Sequence, residues 1–150
     1  MSSEYNEINQ FLVKVFNSIL RTEEASLKSK EFKNLSMREM HVIEAVCEAT
    51  EQERNSASEI AFAQNVTAGT LTTTVSTLER KGFVLRRQDQ QDRRMVRIFP
   101  TEKGKTANEF HQEFHHEMVS AIMSALSADE LKVFVKGLAA VQRFFENSKK

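Results

Sequence analysis

The stretch from Ser56 to Phe99 constrains this chain more than any other, because two apolar-periodic segments, a tight turn and an arginine-rich hairpin follow one another without a linker. Ser56-Ala57-Ser58-Glu59 has the spacing of a capping box and opens one helix, and Asn65-Val66-Thr67 is a short turn whose threonine can cap the next. That second helix, expected over Ala68 to Lys81, places Leu71, Val75 and Leu78 at i, i+4 and i+7, a core-facing course. Its outward side then carries Gly69, Thr70, Thr72, Thr73, Ser76 and Thr77. Thr and Ser lower helix propensity, so helix stability did not select this face. Hydroxyls and threonine methyls meet phosphates, base edges and the thymine methyl in a major groove, which makes duplex DNA the expected partner.

Gly82 is placed to end the helix in the left-handed conformation. Phe83 to Arg87 and Met95 to Phe99 then read as strands joined by the polar tip Gln88 to Arg94. This order predicts a winged helix-turn-helix. The whole chain is neutral, with 21 basic and 21 acidic residues. Glu79 to Arg97, however, holds seven Lys or Arg (80, 81, 86, 87, 93, 94 and 97) against the acids 79, 89 and 92, and residues 1 to 55 hold seven basic against ten acidic. Such a wing can rest on phosphates and reach an arginine into the narrow, electronegative minor groove. Arg94 is the expected insertion, with Asp92 placed to hold its guanidinium. The expected DNA-facing set is Ser58, Thr67, Ala68, Gly69, Thr70, Thr72, Thr73, Ser76, Arg86, Asp92, Arg93 and Arg94. A solvated hairpin tip is the bland alternative for the wing.

The rest of the chain predicts a mainly α architecture of about six helices with a two- to three-stranded wing. No Gly-, Pro- or Ser-rich linker interrupts its 150 residues, which reads as a single domain: residues 35–100 for the winged helix, 1–34 and 101–150 for flanking dimerisation helices. The absence of a signal peptide or long apolar run leads to the expectation of a soluble, cytoplasmic protein without a membrane partner. Cys47 is the lone cysteine and shares a face with Met40, Ile43 and Val46, so it reads as core rather than redox sensor. Two further capping boxes, Ser36 to Glu39 and Ser127 to Glu130, mark helix starts. Ile8, Phe11, Leu12, Val15, Phe16, Ile19 and Leu20 form one broad apolar stripe. Leu131, Phe134, Val135, Leu138, Val141 and Phe145 form another. Both exceed what a finished monomer needs, which predicts a homodimer built from the terminal helices and a palindromic target with half-sites about 10 base pairs apart.

Leu78-Glu79-Arg80-Lys81-Gly82-Phe83, Gln91-Asp92-Arg93-Arg94-Met95-Val96 and Thr101-Glu102-Lys103-Gly104, in this order and spacing, resemble the MarR family of bacterial transcription regulators. The resemblance implies a dimer through the terminal helices, a wing Asp-x-Arg at Asp92 and Arg94, and DNA reading by Ala68 to Ser76. Pro100 departs from it, standing where the family usually has Leu, at the entry to the next helix. Ala68 to Leu78 contains no Arg, Lys, Asn or Gln, the residues that pair bidentately with bases, so the expected operator is an A·T-rich palindrome read by methyl contacts and groove width.

For an effector, two readings stand. Glu39-Met40-His41, Phe110 to His115 and Lys136-Gly137-Leu138 extend the likeness to the FabT-type repressors of fatty-acid synthesis genes. That likeness implies a long-chain acyl group on acyl carrier protein as co-repressor, with Phe110, Phe114, Met118 and Ile122 on one helix face as candidate lining; the same stripe can equally be plain core. The family's zinc sensors suggest instead a site made of Glu24, His41, His111 and His115, although these histidines can also serve only as hydrogen-bonding groups. No cofactor is required under the first reading. The chain has no nucleophile elbow, P-loop or glycine-rich dinucleotide turn, so an enzyme is not expected, and a winged helix used only for protein contacts is the remaining class.

Overall fold

The computed structural model describes residues 1–28 and 31–148. Contacts divide the chain into two compact units, Met1–Gln112 and Glu113–Lys150.

The first unit begins with a continuous helical run: α1 (Ser3–Gln10), a π turn (Phe11–Val15) and α2 (Phe16–Leu27). It continues through α3 (Met37–Glu51), α4 (Ala57–Ala63), α5 (Ala68–Arg80), β1 (Val84–Gln88), β2 (Val96–Pro100) and the first part of α6 (Glu102–Ser124). The second unit holds the remainder of α6 and α7 (Ala128–Asn147). With the Ser3–Leu27 run taken as one, the described residues make six helices and a two-stranded antiparallel sheet, the expected mainly α winged helix.

Local chemistry accounts for the boundaries. Ser36 and Ser127 complete reciprocal capping boxes with Glu39 and Glu130. Of the Ser56 box, the half from Glu59 N to Ser56 Oγ forms at 3.2 Å, while the Ser56 backbone pairs with Arg97 in an antiparallel bridge that adds a third, single-residue element to the wing. Thr67 caps α5 by accepting from Thr70 N at 3.1 Å. Asn65, in the turn before it, has φ +54°, a left-handed value that Asn tolerates. Gly82 has φ +85° and ends α5 as expected.

The strands start and end one residue later than the sequence suggested, pairing Val84 with Pro100 through to Gln88 with Val96. Pro100 falls at the end of the ladder, where its missing N–H costs nothing. It leaves the entry to α6 intact: Thr101 Oγ1 donates to the Gly82 carbonyl at 2.6 Å and accepts from Gly104 N at 3.1 Å.

The core of the first unit is built where α3, α4 and α5 meet the sheet. Met40, Ile43 and Val46 of α3, Ile60 of α4, Leu71, Val75 and Leu78 of α5, and Phe83 and Ile98 are all essentially closed to solvent. At about 1.5–3 kcal/mol per buried large side chain, this cluster outweighs the weak helix propensity of the threonine-rich α5. Cys47 lies in the same cluster, 7% exposed. Gly104 passes so close to Phe83 that a Cβ there would sit 2.1 Å from the Phe83 carbonyl oxygen. The start of α6 is thereby packed onto the end of the helix-turn-helix.

Candidate nucleic-acid interface

α5 presents its two faces as the spacing predicted. Leu71, Thr74, Val75 and Leu78 are buried, while Thr67, Ala68, Gly69, Thr72 and Thr73 are exposed, and Thr70, Ser76 and Thr77 are half-buried. The hydroxyls of Thr72, Thr73 and Thr77 donate to the carbonyls of Ala68, Gly69 and Thr73 at 2.8, 3.0 and 3.2 Å. With these three hydroxyl protons turned back onto the helix, what Thr72, Thr73 and Thr77 offer a partner is methyl groups and oxygen lone pairs. A Cβ added at Gly69 would meet nothing within 4 Å, so packing within the protein does not require glycine there. Ser58 is exposed on α4.

The wing extends beside this helix. Arg93 and Arg94 are exposed at its tip, the Arg94 side chain at 93%. Asp92 Oδ1 accepts from both the backbone N–H of Arg94 (3.1 Å) and its Nε (3.2 Å), the pairing expected from Asp-x-Arg. The pair aims the guanidinium without covering it. Arg86, expected to face DNA, also has a partner within the protein. Its N–H and Nη2 donate to the two Glu79 oxygens at 2.9 and 3.1 Å, and these contacts, the backbone bond first, hold the Glu79 carboxyl below its usual range.

Sequence reasoning missed what braces the wing. Asp89 Oδ1 accepts from Arg97 Nε at 2.6 Å, and Oδ2 accepts from the backbone N–H of Gln91 and of Asp92 at 3.1 and 2.8 Å. Arg97 Nη1 reaches the Asn55 Oδ1 at 3.2 Å, and Asn55, 4% exposed, donates from Nδ2 to the Ile98 carbonyl at 2.8 Å. Asp89 and Arg97 had counted only as wing charges. The signal that could have found them is the capacity of Asp89, three residues before Asp92, to accept from the turn's N–H groups.

A second cluster lies on the histidines. In the first unit His41 Nε2 stands 3.8 Å from Glu23 Oε2, His111 Nε2 stands 3.0 Å from Glu44 Oε2, and the two imidazole rings are 5.8 Å apart. His111 is 2% exposed and Glu23 4%. Glu24, the carboxylate expected here, is exposed instead: successive helix residues point about 100° apart, and Glu23 shares the inward face with Ile19 and Leu27. His115 follows one turn after His111 on α6, in the second unit. Of the four candidate acyl-lining residues, Phe110 packs on Phe32 in the first unit's core with ring centroids 5.2 Å apart. Phe114 and Met118 are half-buried and Ile122 is 43% exposed in the second.

Both terminal stripes stay open. Phe11, Phe16 and Leu20 are 44, 57 and 37% exposed, and Phe134, Leu138 and Phe145 are 40, 44 and 53% exposed. No helix among the described residues is long and apolar enough to cross a membrane.

Comparison with known proteins agrees with this arrangement. Residues 35–96 match the sequence profile of the MarR family. The crystal structure of Streptococcus pneumoniae FabT in complex with DNA superposes with a TM-score of 0.87 at 36% identity, covering 95% of this chain and 98% of that one. The S. aureus MepR–DNA complex shares the fold, with a TM-score of 0.76 at 21% identity over 96% of this chain and 99% of that one. The transcriptional repressor YetL of Bacillus subtilis is 39% identical over 85 residues, 57% of this chain and 51% of YetL. The chain thus spans about half the length of the curated relatives it matches.

Proposed function

The chain belongs to the MarR family, and from that premise we propose that it is a homodimeric transcriptional repressor that binds an A·T-rich palindrome, with α5 in the major groove and Arg94 in the minor groove. One observation carries the reading: threonine methyls and acceptor oxygens on the outer face of a helix stand beside a hairpin whose Arg94, 93% exposed, is already oriented by Asp92. The open apolar faces of the N-terminal helical run and of α7 supply the area for a second copy, which sets two reading heads about one helical turn of DNA apart. These features perform no covalent chemistry; the output is occupancy of a site on DNA.

The regulated genes are fatty-acid synthesis genes, and a long-chain acyl group presented by acyl carrier protein is the co-repressor. The 36% identity to FabT over nearly the whole of both chains supports this, together with the apolar course Phe114, Met118 and Ile122 along α6. Such a ligand acts only through its differential affinity for the DNA-competent dimer. Tenfold tighter operator binding corresponds to about 1.4 kcal/mol of coupling, and the operator must tighten acyl binding by the same factor.

The convergence of Glu23, His41 and His111 favours a second reading, a zinc-responsive regulator of metal uptake. One carboxylate and imidazole nitrogens suit zinc, and Glu23 and His111 bring ligand atoms within 4.8 Å of one another. Glu23 replaces Glu24 in this set, beside His41 and His111 of the first unit.

Sequencing of genomic fragments recovered by the purified protein, with and without acylated carrier protein, separates the readings. Palindromes near fatty-acid synthesis genes, enriched further by the acylated form, support the first. Sites near metal-uptake genes, responsive to zinc and indifferent to acyl groups, support the second. Recovery of no specific DNA, with a protein partner lost on Arg94→Ala, overturns both in favour of an interaction module.

A further inference from the structure

We infer that Asn55, Arg97 and Asp89 are positioning residues for the wing: one chain of hydrogen bonds runs from the buried start of the helix-turn-helix to the hairpin tip and holds Arg94 where DNA meets it. The inference rests on the reading of Arg94 as a DNA contact.

Its anchor is Asn55, one residue before the cap of α4. Its side chain donates to the Ile98 carbonyl at 2.8 Å, its backbone carbonyl accepts from Ile98 N at 2.9 Å, and its Oδ1 accepts from Arg97 at 3.2 Å. Arg97 passes the connection to Asp89 at 2.6 Å. Asp89 then fixes the turn by accepting from the N–H groups of Gln91 and Asp92, and Asp92 in turn orients Arg94. The Arg97 and Asp89 side chains are 29 and 16% exposed, against 93% for Arg94, so the order runs outward from rigid to open.

A hairpin tip with a free arginine loses conformational freedom on binding, and prior ordering of the tip reduces that cost. Stability alone does not call for this arrangement, since apolar side chains could pack the sheet onto α4 without directional bonds. The chain also removes one basic group from the wing's free charge, because the Arg97 guanidinium is matched by Asp89.

That match gives a test in which electrostatics and positioning predict opposite signs. Asp89→Asn removes a negative charge next to the DNA, so charge alone predicts tighter binding. Positioning predicts weaker binding, because the neutral amide gives up the charge-assisted bonds to Arg97 and the turn. Full-length wild type, D89N, R94A and D89N/R94A are titrated by fluorescence anisotropy against a duplex carrying a site from the genomic selection. Thermal melting of each accompanies the titration. The expected result is about tenfold weaker binding by D89N, and a double variant no weaker than R94A alone, as for two residues acting through one contact. R97K, which keeps charge and a donor, should recover part of the affinity that R97Q loses. Equal or tighter binding by D89N overturns the inference, as does a D89N penalty that persists undiminished without Arg94. R94A binding like wild type strikes the wing reading itself, and this inference with it.

Discussion

Lys81 Nζ lies 2.7 Å from Glu39 Oε2, tying the end of α5 to the first turn of α3. The other Glu39 oxygen accepts from Ser36 N in the α3 capping box, and Lys81 also donates to the Asn34 carbonyl. One carboxylate therefore caps one helix and anchors another. Glu39→Gln keeps a capping-box residue but removes the ion pair, whose side chains are only 15 and 26% exposed. The expected cost is about 1 kcal/mol of stability in denaturant titration, shrinking as salt rises.

Arg94→Ala removes a 93% exposed side chain whose bonds within the fold are those to Asp92, its neighbour two residues away. Its melting temperature should match wild type, while operator affinity falls about 10- to 100-fold and the slope of log affinity against log salt drops by about one. The loss should be greatest where the wing meets A·T pairs, and placing G·C there should weaken the wild type but barely touch the variant.

Gly69→Ala separates folding from reading. The added methyl meets no protein atom, and alanine in a helix is favoured over glycine by about 0.5–1 kcal/mol, so the variant should melt higher. A methyl at that place obstructs close approach of the helix start to DNA, and gel-shift affinity should fall. Unchanged affinity would show that the duplex does not approach α5 at Gly69.

Burial pushes the Cys47 thiol up to about 11, with Glu51 adding to the effect. At pH 8 the thiolate is then only about one part in a thousand, so alkylation of the native protein should be slow and peroxide should leave DNA binding intact. Because the folded value is raised, the stability contribution is complete below the unfolded value near 9 and is lost as pH climbs from 9 toward 11. That loss amounts to about 2 kcal/mol, measured as the pH dependence of chemical denaturation and absent in Cys47→Ala.

At the acid end, the Arg97 guanidinium, followed by the Asp92 N–H, holds the Asp89 carboxyl below its ordinary 3.8. A depressed folded value contributes stability above pH 3.8 that disappears as pH falls through the lower one. Carbon-detected NMR titration should place Asp89 below the ordinary aspartate value of 3.8 and move it upward in Arg97→Gln. An Asp89 titration unaffected by that substitution would contradict the pairing.

The sequence by itself determined the elements and which side of α5 turns outward. Caps at Ser36, Thr67 and Ser127, the left-handed Gly82 and the spacing of Leu71, Val75 and Leu78 are local signals, written within a few residues of the structure they specify. Asp92 and Arg94 were legible for the same reason, being two residues apart. Only the tertiary structure decided the rest. Arg97 reaches Asn55 across 42 positions and Lys81 reaches Glu39 across the same separation, and no periodicity encodes such pairs. The choice of Glu23 over Glu24 is of the same kind. Neighbouring helix residues differ by about 100° in direction, and which one turns inward depends on the phase of the whole Ser3–Leu27 run, including the π turn at Phe11–Val15 that shifts it. Local bonds depend on the chain's own spacing, whereas long-range partners depend on how separate elements come to rest against one core.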